Sequence, residues 1–372
     1  MRTIGLYIHI PFCHTKCPYC AYYKEVWSPK KEEEIVEALC KELTYYKTHY
    51  PPLQIDTLFI GGGTPTSLAA NNLKTLLKKI HSTFKIGPDF EGTSEANPDS
   101  LTQEFLDISK DYSLNRISLG VQSFQEKDLH FLGRTHSLDT IDKAITRIKK
   151  DAYWDLNIDL MFGLPTTTVN TVIDSLKQTL AYNPEHISTY ALSIEPNTPF
   201  KHRGVTPVNS ELELRQYHAI QDHLKKVGYN HYEISAFAKP SKECKHNLRY
   251  WSYQDYIGIG PSANSFFNNH RYTNPSSIAD YCQHPHPDLG EPLSEQDQKT
   301  EYIIAHLRQL RPFSMTAFDN QFNSNFRSEF ESQLNSLATN KLLTLSKNNT
   351  SFELTQNGIN LLNTVLLEFI PS

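Results

Sequence analysis

Apolar and polar positions in this chain follow two alternating periods. Over roughly the first 230 residues, short strand-like runs alternate with longer segments that repeat apolar residues every three or four positions, as amphipathic helices do. The predicted strands are 6–10, 57–60, 92–95, 116–119, 157–161 and 187–192. The predicted helices are 31–46, 73–84, 102–111, 138–149, 169–180 and 211–227. Because strand–helix units in succession are typical of a parallel sheet, we expect an α/β fold with a partial (βα)6 TIM-like barrel.

The alternation changes after Gly228. The segment 229–265 is rich in aromatic residues and glycine, and 275–292 is rich in proline, histidine and serine, which is typical of a linker. From about residue 295 the pattern is helical again, and 342–372 predicts two short strands and a helix over 358–369. We therefore expect three parts, which are a barrel domain over 1–235, a connecting segment over 236–294, and a small winged-helix-like α+β domain over 295–372.

The composition indicates a soluble protein without a strongly charged surface. The 372 residues are 38% hydrophobic and carry a formal net charge of −5. No block of like charges and no apolar run of ~18 residues occurs, so neither nucleic acid nor a membrane span is expected. The winged-helix-like tail suggests nucleic-acid binding only weakly, because 358–369 is apolar and lacks the basic residues of a recognition helix. No signal-peptide pattern is present at the N-terminus, and we expect a cytoplasmic protein.

Three of the six cysteines stand close together in the loop after the first predicted strand. The spacing Cys13-x-x-x-Cys17-x-x-Cys20 can wrap one 4Fe–4S cluster, with each thiolate on a different iron and the fourth iron open to another ligand. Structural zinc is the alternative, but it requires four protein ligands. His9 and His14 could complete such a set, although neither has the usual pair spacing. The cysteines therefore favour a cluster.

Unusual residues follow the other predicted strands. The turn Gly61-Gly62-Gly63-Thr64-Pro65 follows the second strand, Glu95 ends the third, Gln122 follows the fourth, and Asp159 lies in the fifth. Each feature alone is more often structural. In a βα barrel, however, the carboxyl ends of the strands converge at the face where binding and catalysis occur. Together with the cysteines, these residues predict a binding site at that face.

The same residues stand in motifs that identify a resemblance. The order YIHIPFC (7–13), CPYC (17–20), GGGTP (61–65), EANP (95–98), RISLGVQSF (116–124), LGR (132–134) and NIDLMFGLP (157–165) resembles radical S-adenosylmethionine (SAM) enzymes, and most of all the group around oxygen-independent coproporphyrinogen III oxidase. The resemblance covers nearly the whole chain. It implies that SAM binds the open iron and is surrounded by Tyr7, Tyr19, Gly62, Gly63, Thr64, Glu95, Gln122, Arg134 and Asp159.

Two members of this group are compatible with the sequence, the oxidase and the HemW-type haem chaperone. Tyr22 stands where the oxidase pattern has a further cysteine, and the segment before Cys13 is short, whereas the oxidase has a substantial one. The run HNLRYW (246–251) looks like the His-Asn-x-x-Tyr-Trp motif of the chaperones. The resemblance therefore implies a protein that binds haem and passes it to an acceptor protein, with an electron donor for the cluster. Oxidative decarboxylation of coproporphyrinogen is the alternative.

The residue that binds the haem iron stays open at this point. The motif makes His246 the candidate, because a neutral imidazole is a good iron ligand. A hydrogen-bonded structural turn explains the same residues, since buried histidines often satisfy polar neighbours. Cys244 is a nearby thiol for which buried packing is the simpler interpretation, and His136 and His202 are other possible ligands.

Overall fold

The structure is a computed structural model that describes residues 1–371, so Ser372 at the end of the predicted tail lies outside the described residues. The strands before residue 274 are β1 (Arg2–Ile10), β2 (Phe12–Cys13), β3 (Glu25–Val26), β4 (Leu53–Gly62), β5 (Lys85–Ala96), β6 (Arg116–Gln122), β7 (Asp155–Phe162), β8 (His186–Ala191), β9 (Asn230–Glu233), β10 (Ala236–Ala238), β11 (Tyr256–Ile259), β12 (Asn264–Phe267) and β13 (His270–Thr273). The helices before residue 284 are α1 (Pro29–His49), α2 (Ala70–Thr83), α3 (Gln103–Asp111), α4 (Glu126–Phe131), α5 (Leu138–Lys149), α6 (Val169–Ala181), α7 (Pro199–His202), α8 (Ser210–Lys226), α9 (Lys245–Trp251) and α10 (Ile278–Gln283).

The predicted parallel barrel is present. Strands β1, β4, β5, β6, β7 and β8 are adjacent in that order and all pair in parallel. Nearly every residue of β6 is buried, because the outer face packs on helices and the inner face lines the lumen. Strands buried on both faces are typical of parallel sheets. Every predicted strand and helix of this region corresponds to an observed element, although β1, β4 and β5 begin four to seven residues before the predicted strands.

The connecting segment 236–294 contributes to the same sheet as the barrel. The strand order is β13-β12-β11-β1-β4-β5-β6-β7-β8-β10-β9, so β11 extends the sheet beyond β1 and β10 extends it beyond β8. Strand β11 pairs in parallel with β1, with Tyr7 opposite Gly258. Strand β10 pairs antiparallel with β8. Because the order ends at β13 and β9, the barrel is partial.

Helix α9 closes the amino-terminal end of the barrel and is called the floor helix below. The backbone N–H of His246 donates to Glu91 Oε1 at 3.2 Å, and Arg249 forms an ion pair with Asp56. Just before the helix, Arg116 Nη2 donates to the carbonyl of Lys242 at 2.9 Å. These contacts attach the floor helix and its approach to Asp56 in β4, to Glu91 in β5 and to Arg116 at the start of β6. The motif 246–251 therefore lies at the end of the barrel opposite the cysteine loop.

Gly5 gives the floor helix room to pack against β1. A Cβ atom at this position would lie 2.5 Å from Arg249 Cδ, and the Arg249 guanidinium is held by Asp56. We expect Gly5→Ala to destabilise the fold by about 1 to 3 kcal/mol, as overpacking of a buried site does. Urea unfolding measures this change. In an Arg249→Ala background the same substitution should cost less, and an equal cost in both backgrounds would contradict the packing argument.

The C-terminal part has a separate hydrophobic core. It comprises α11 (Glu295–Leu307), β14 (Phe313–Ser314), α12 (Met315–Phe322), α13 (Phe326–Glu329), α14 (Glu331–Thr339), β15 (Leu343–Leu345), β16 (Ser351–Leu354), α15 (Gln356–Asn360) and α16 (Leu362–Leu367). The strands form an antiparallel sheet in the order β14-β16-β15. The predicted helix over 358–369 is interrupted, because Leu361 has non-helical backbone angles between α15 and α16. The winged-helix interpretation stays a prediction.

This C-terminal part attaches to the edge strand β9. The N–H of Ile234 donates to the Arg308 carbonyl at 3.1 Å, and the N–H of Leu310 donates to the Tyr232 carbonyl at 3.0 Å. An isolated bridge between Glu233 and Gln309 lies between these two bonds. The chain that leaves α11 thus covers one edge of the main sheet. Within residues 1–371, no helix has the length and apolar character that crossing a bilayer requires.

Candidate cofactor-binding site

The cysteine loop leaves β1 and is closed at its base by the short ribbon β2–β3. Cys13 pairs with Val26 across this ribbon, and the N–H of Trp27 donates to the Cys13 carbonyl at 3.1 Å. Inside the loop, the N–H of Cys20 donates to the Cys17 carbonyl at 3.3 Å. Backbone bonds of this kind fix a compact turn between the second and third cysteines. All three cysteines are free thiols.

Hydrogen-bond donors from the segments that follow β4 and α4 contact the thiols. Thr64 Oγ1 lies 3.5 Å from Cys13 Sγ, and Arg134 Nη1 lies 3.4 Å from Cys17 Sγ. Burial raises the pKa of the Cys13 thiol, whereas the Thr64 hydroxyl opposes that increase. Hydroxyl and guanidinium donors stabilise negative sulfur, which is the form that binds iron. The loop therefore has the donor set that an anionic iron–sulfur cluster requires.

Neither His9 nor His14 is placed to serve as the fourth ligand of a zinc ion bound by the three cysteines. His9 is hydrogen-bonded through both ring nitrogens, to Tyr7 Oη at 2.9 Å and to the Tyr23 carbonyl at 3.0 Å. His14 is exposed, and its ring packs against Trp27. Among residues 1–371, no group of three or more His, Cys, Asp or Glu side chains is arranged so as to hold a single metal ion. A cluster places each thiolate on a different iron, so it does not require sulfur atoms to converge on one point.

A cavity of about 670 Å³ occupies the barrel lumen between the cysteine loop and the floor helix. This volume is typical of cofactor and ligand sites, which span ~300–1,000 Å³. The cavity is lined by seven of the predicted SAM-contacting residues, which are Tyr19, Gly63, Thr64, Glu95, Gln122, Arg134 and Asp159. Cys20 lines the same space. The structure thus brings the predicted residues together beside one cysteine of the loop.

Tyr7 and Gly62, the other two predicted residues, lie directly behind this lining. The N–H of Gly62 donates to Glu95 Oε2 at 3.0 Å. Gly62 has a φ of 106°, and a Cβ atom there would lie 2.5 Å from the His9 ring. Only glycine suits both the backbone angle and this close approach. Tyr7 Oη bonds His9 Nδ1, so Tyr7 supports the histidine that lies against Gly62.

Two buried carboxyl groups make the cavity suitable for a cationic ligand. Burial raises the pKa of Glu95 to about 8, with a further contribution from the charge of Asp159. Burial likewise raises the pKa of Asp159 to about 6, although Asn157 Nδ2 and Ser118 Oγ donate to it at 2.7 Å and 3.1 Å. A positive ligand would favour the ionised form of both groups. SAM carries a sulfonium and an ammonium group, which match this requirement.

Gln122 and Arg134 are held in place by backbone geometry and a neighbouring amide. Gln122 has a φ of 71° and follows an irregularity in the pairing of β6 with β7. Such left-handed backbone is uncommon for a residue other than glycine, and it occurs often at functional sites. Arg134 Nη2 donates to Asn97 Oδ1 at 2.7 Å and to the Gly120 carbonyl at 2.8 Å. Sequence reasoning missed Asn97, although it lies within the EANP motif.

Two aromatic side chains at the cavity were also missed as site residues. Tyr22 and Tyr190 both line the cavity and keep 74% and 45% of their surface exposed. Tyr190 gave no sequence signal, because a tyrosine in a predicted strand is most often a packing residue. Tyr22 was noted only as the replacement for a cysteine. Both offer apolar ring surface to a planar ligand.

His246, the candidate haem ligand, lies inside the floor of the barrel, and its role as a ligand stays a prediction. The side chain is fully buried, with an exposed fraction of 0%. Its Nδ1 bonds Thr57 Oγ1 at 2.9 Å, and its Nε2 bonds Tyr250 Oη at 2.7 Å. Burial lowers the pKa of His246 to about 3. Since both nitrogens are engaged inside the floor, the geometry favours the structural alternative. Cys244 is buried as well.

Known proteins resemble this chain in sequence and in fold. The family described as the Radical SAM superfamily matches residues 7–179. The structure of coproporphyrinogen III oxidase (HemN) from Escherichia coli superposes on this one with a TM-score of 0.88 and 23% sequence identity. The superposition covers 99% of this chain and 90% of the oxidase chain. At that identity the likeness shows the fold alone. Residues 7–179 therefore form a region of the Radical SAM superfamily.

Proteins related in sequence identify the family within this superfamily. The Heme chaperone HemW of Lactococcus lactis is 33% identical over 98% of this chain and 96% of its own length. The Heme chaperone HemW of Bacillus subtilis is 35% identical over 91% of this chain and 92% of its own length. The Heme chaperone HemW of Escherichia coli is 38% identical over 70% of this chain and 69% of its own length. This chain belongs to the HemW family. The comparisons therefore confirm the predicted family.

Proposed function

We propose that this protein is a cytoplasmic haem carrier that holds a 4Fe–4S cluster on Cys13, Cys17 and Cys20 and binds SAM in the barrel lumen. Membership of the HemW family supports the haem function. The observation that supports the cofactor site most strongly is that Cys20 and the carboxyl groups of Glu95 and Asp159 line one cavity. When bound, a cluster of this kind can supply one electron to a ligand on its open iron. Haem titration of the anaerobically reconstituted protein tests the carrier function.

Four residues of the cavity have distinct roles in this proposal. Glu95 receives the N–H of Gly62 and presents its other oxygen to the ligand's cationic groups. Asp159 is held by Asn157 and Ser118, so its position is fixed before a ligand arrives. Arg134 is placed between Cys17 and Asn97, where its charge stabilises a thiolate. Tyr19 lies between the last two cysteines and covers one side of the lumen.

Asp159→Asn tests the cofactor site without disturbing the cluster. The substitution keeps the size of the side chain and removes a negative charge that faces the cavity. We expect SAM affinity to fall by about 10-fold or more, because a charge-assisted bond is worth ~1.5–3 kcal/mol. Iron content should stay unchanged. Calorimetry on the reconstituted protein measures the affinity, and Asp155→Asn, at the other end of β7, is the matched control. Equal SAM affinity in Asp159→Asn and wild type would remove Asp159 from the site.

The oxidase alternative is not better supported by the site. Tyr22 occupies the position of the oxidase's further cysteine, and its ring faces the cavity. The haem ligand must come from a side chain with a free donor atom. His136 is buried and bonds the Val121 carbonyl, whereas His202 is exposed at the end of α7. The N–H of Phe200 in α7 donates to the Pro18 carbonyl at 3.0 Å, which brings this helix against the cysteine loop. His202 is therefore our preferred ligand, and the proposal includes an acceptor protein and an electron donor as partners.

A further inference from the structure

A continuous series of side-chain contacts joins His246 in the floor helix to the cysteine loop. The His246 ring stacks on Phe59 with centroids 5.4 Å apart, and Phe59 stacks on Tyr7 at 6.2 Å. Tyr7 Oη bonds His9 Nδ1 at 2.9 Å, and His9 Nε2 bonds the Tyr23 carbonyl at 3.0 Å. Tyr23 follows the third cysteine of the loop by a few residues. Every step of this series is a ring stack or a hydrogen bond.

The series is fixed at the floor by four further contacts. His246 is clamped between the hydroxyls of Thr57 and Tyr250, as described above. At the end of the same helix, Gln309 Nε2 donates to the Trp251 carbonyl at 2.6 Å, and the Arg308 guanidinium lies 4.6 Å from the Trp251 ring centroid. The motif 246–251 therefore connects the C-terminal part, the floor and the lumen.

We propose that His246 is a positioning residue for the cofactor site at the opposite end of the barrel. Its ring supports Phe59 from below, so that Phe59 holds Tyr7 in the orientation that bonds His9. His9 in turn packs against Gly62, which binds Glu95, and supports the loop after Cys20. This inference rests on the proposed SAM site. It assigns the histidine of the motif to cofactor geometry and not to haem iron.

The test compares SAM binding in three variants of the reconstituted protein. His246→Ala should weaken SAM affinity about 5- to 10-fold and change the electron paramagnetic resonance spectrum of the reduced cluster with SAM, because substitutions along a contact network alter the coupling between its two ends by factors of this size. Tyr250→Phe keeps the fold and removes one bond to His246, so it should shift the same readouts less. His231→Ala is the matched control. His231 is also a stacked histidine, 4.1 Å from Phe237, but it lies on edge strand β9.

The possible results separate this inference from the proposed function. If wild-type protein binds no SAM, the proposed cofactor site fails. If wild type binds SAM, and His246→Ala binds it equally while haem binding is lost, then His246 serves the haem and the positioning role is overturned. An unchanged haem spectrum together with weakened SAM binding supports the inference. The same weakening in His231→Ala would overturn it, because a general loss of stability would then explain the effect.

Discussion

Alanine in place of Cys13, Cys17 or Cys20 should abolish the iron–sulfur cluster. We expect wild-type protein to hold about four iron and four sulfide per chain after anaerobic reconstitution. With one thiolate removed, two remain, and the open iron already lacks a protein ligand. A cluster held by two thiolates would be lost from a loop whose second and third cysteines are only half-buried. Iron and sulfide analysis with visible absorption measures the outcome.

The control for this experiment is Cys40→Ala. Cys40 lies on α1, is half-buried and stands outside the cysteine loop, so its replacement should leave iron and sulfide content unchanged. Purified protein that contains stoichiometric zinc and no visible-region absorption would contradict the cluster assignment. Full iron content in Cys17→Ala would contradict the assignment of that ligand, and the Arg134 contact to its sulfur would then need another explanation.

Haem binding without porphyrinogen turnover is the second large effect that we expect. The protein should bind about one haem per chain, the stoichiometry of a single axial-ligand site. It should convert no coproporphyrinogen III under reducing, anaerobic conditions with SAM present. A decarboxylase must orient a bulky tetrapyrrole against a reactive radical, which requires a closed and pre-organised pocket. Here Tyr22 stands at the open cavity, where the oxidase pattern has a further cysteine.

Both measurements belong on one preparation of the reconstituted protein. Haem is followed by its absorption after gel filtration, and porphyrins are followed by chromatography after oxidation. The variant Tyr22→Cys is assayed in parallel, since it introduces the cysteine of the oxidase pattern without changing the rest of the lumen. Multiple-turnover formation of protoporphyrinogen by wild type would replace the carrier function with the oxidase. Retention of haem by His202→Ala would leave the carrier function intact and require another ligand.

The local pattern of apolar residues predicted the repeating strand–helix units of the barrel. The period of apolar residues located the six parallel strands, because strands buried by helices on one side and by a lumen on the other need apolar side chains throughout. The cysteine spacing and the residues at strand ends located one face of the barrel. Glu95 and Asp159 could be placed there because parallel strands end at the same edge.

Long-range pairings could not be read from local patterns. Strand β11 is four residues long, and its position beside β1 depends on partners more than two hundred residues away in sequence. The same holds for the floor helix, whose seven residues gave a motif but no location. His246 bonds Tyr250 one turn along the same helix, but the Thr57 hydroxyl on the other ring nitrogen comes from β4, and only the assembled barrel brings it there.

The attachment of the C-terminal part to β9 bears on self-association. An uncovered edge strand presents backbone donors and acceptors to which another chain can add a strand, and this is a common route to aggregation. At this edge those groups are occupied by the chain at 308–310, through the bonds to Ile234 and Tyr232. The C-terminal part therefore blocks the addition of a strand from another molecule at this edge. A chain cut before residue 295 would leave the β9 edge uncovered and should aggregate more readily.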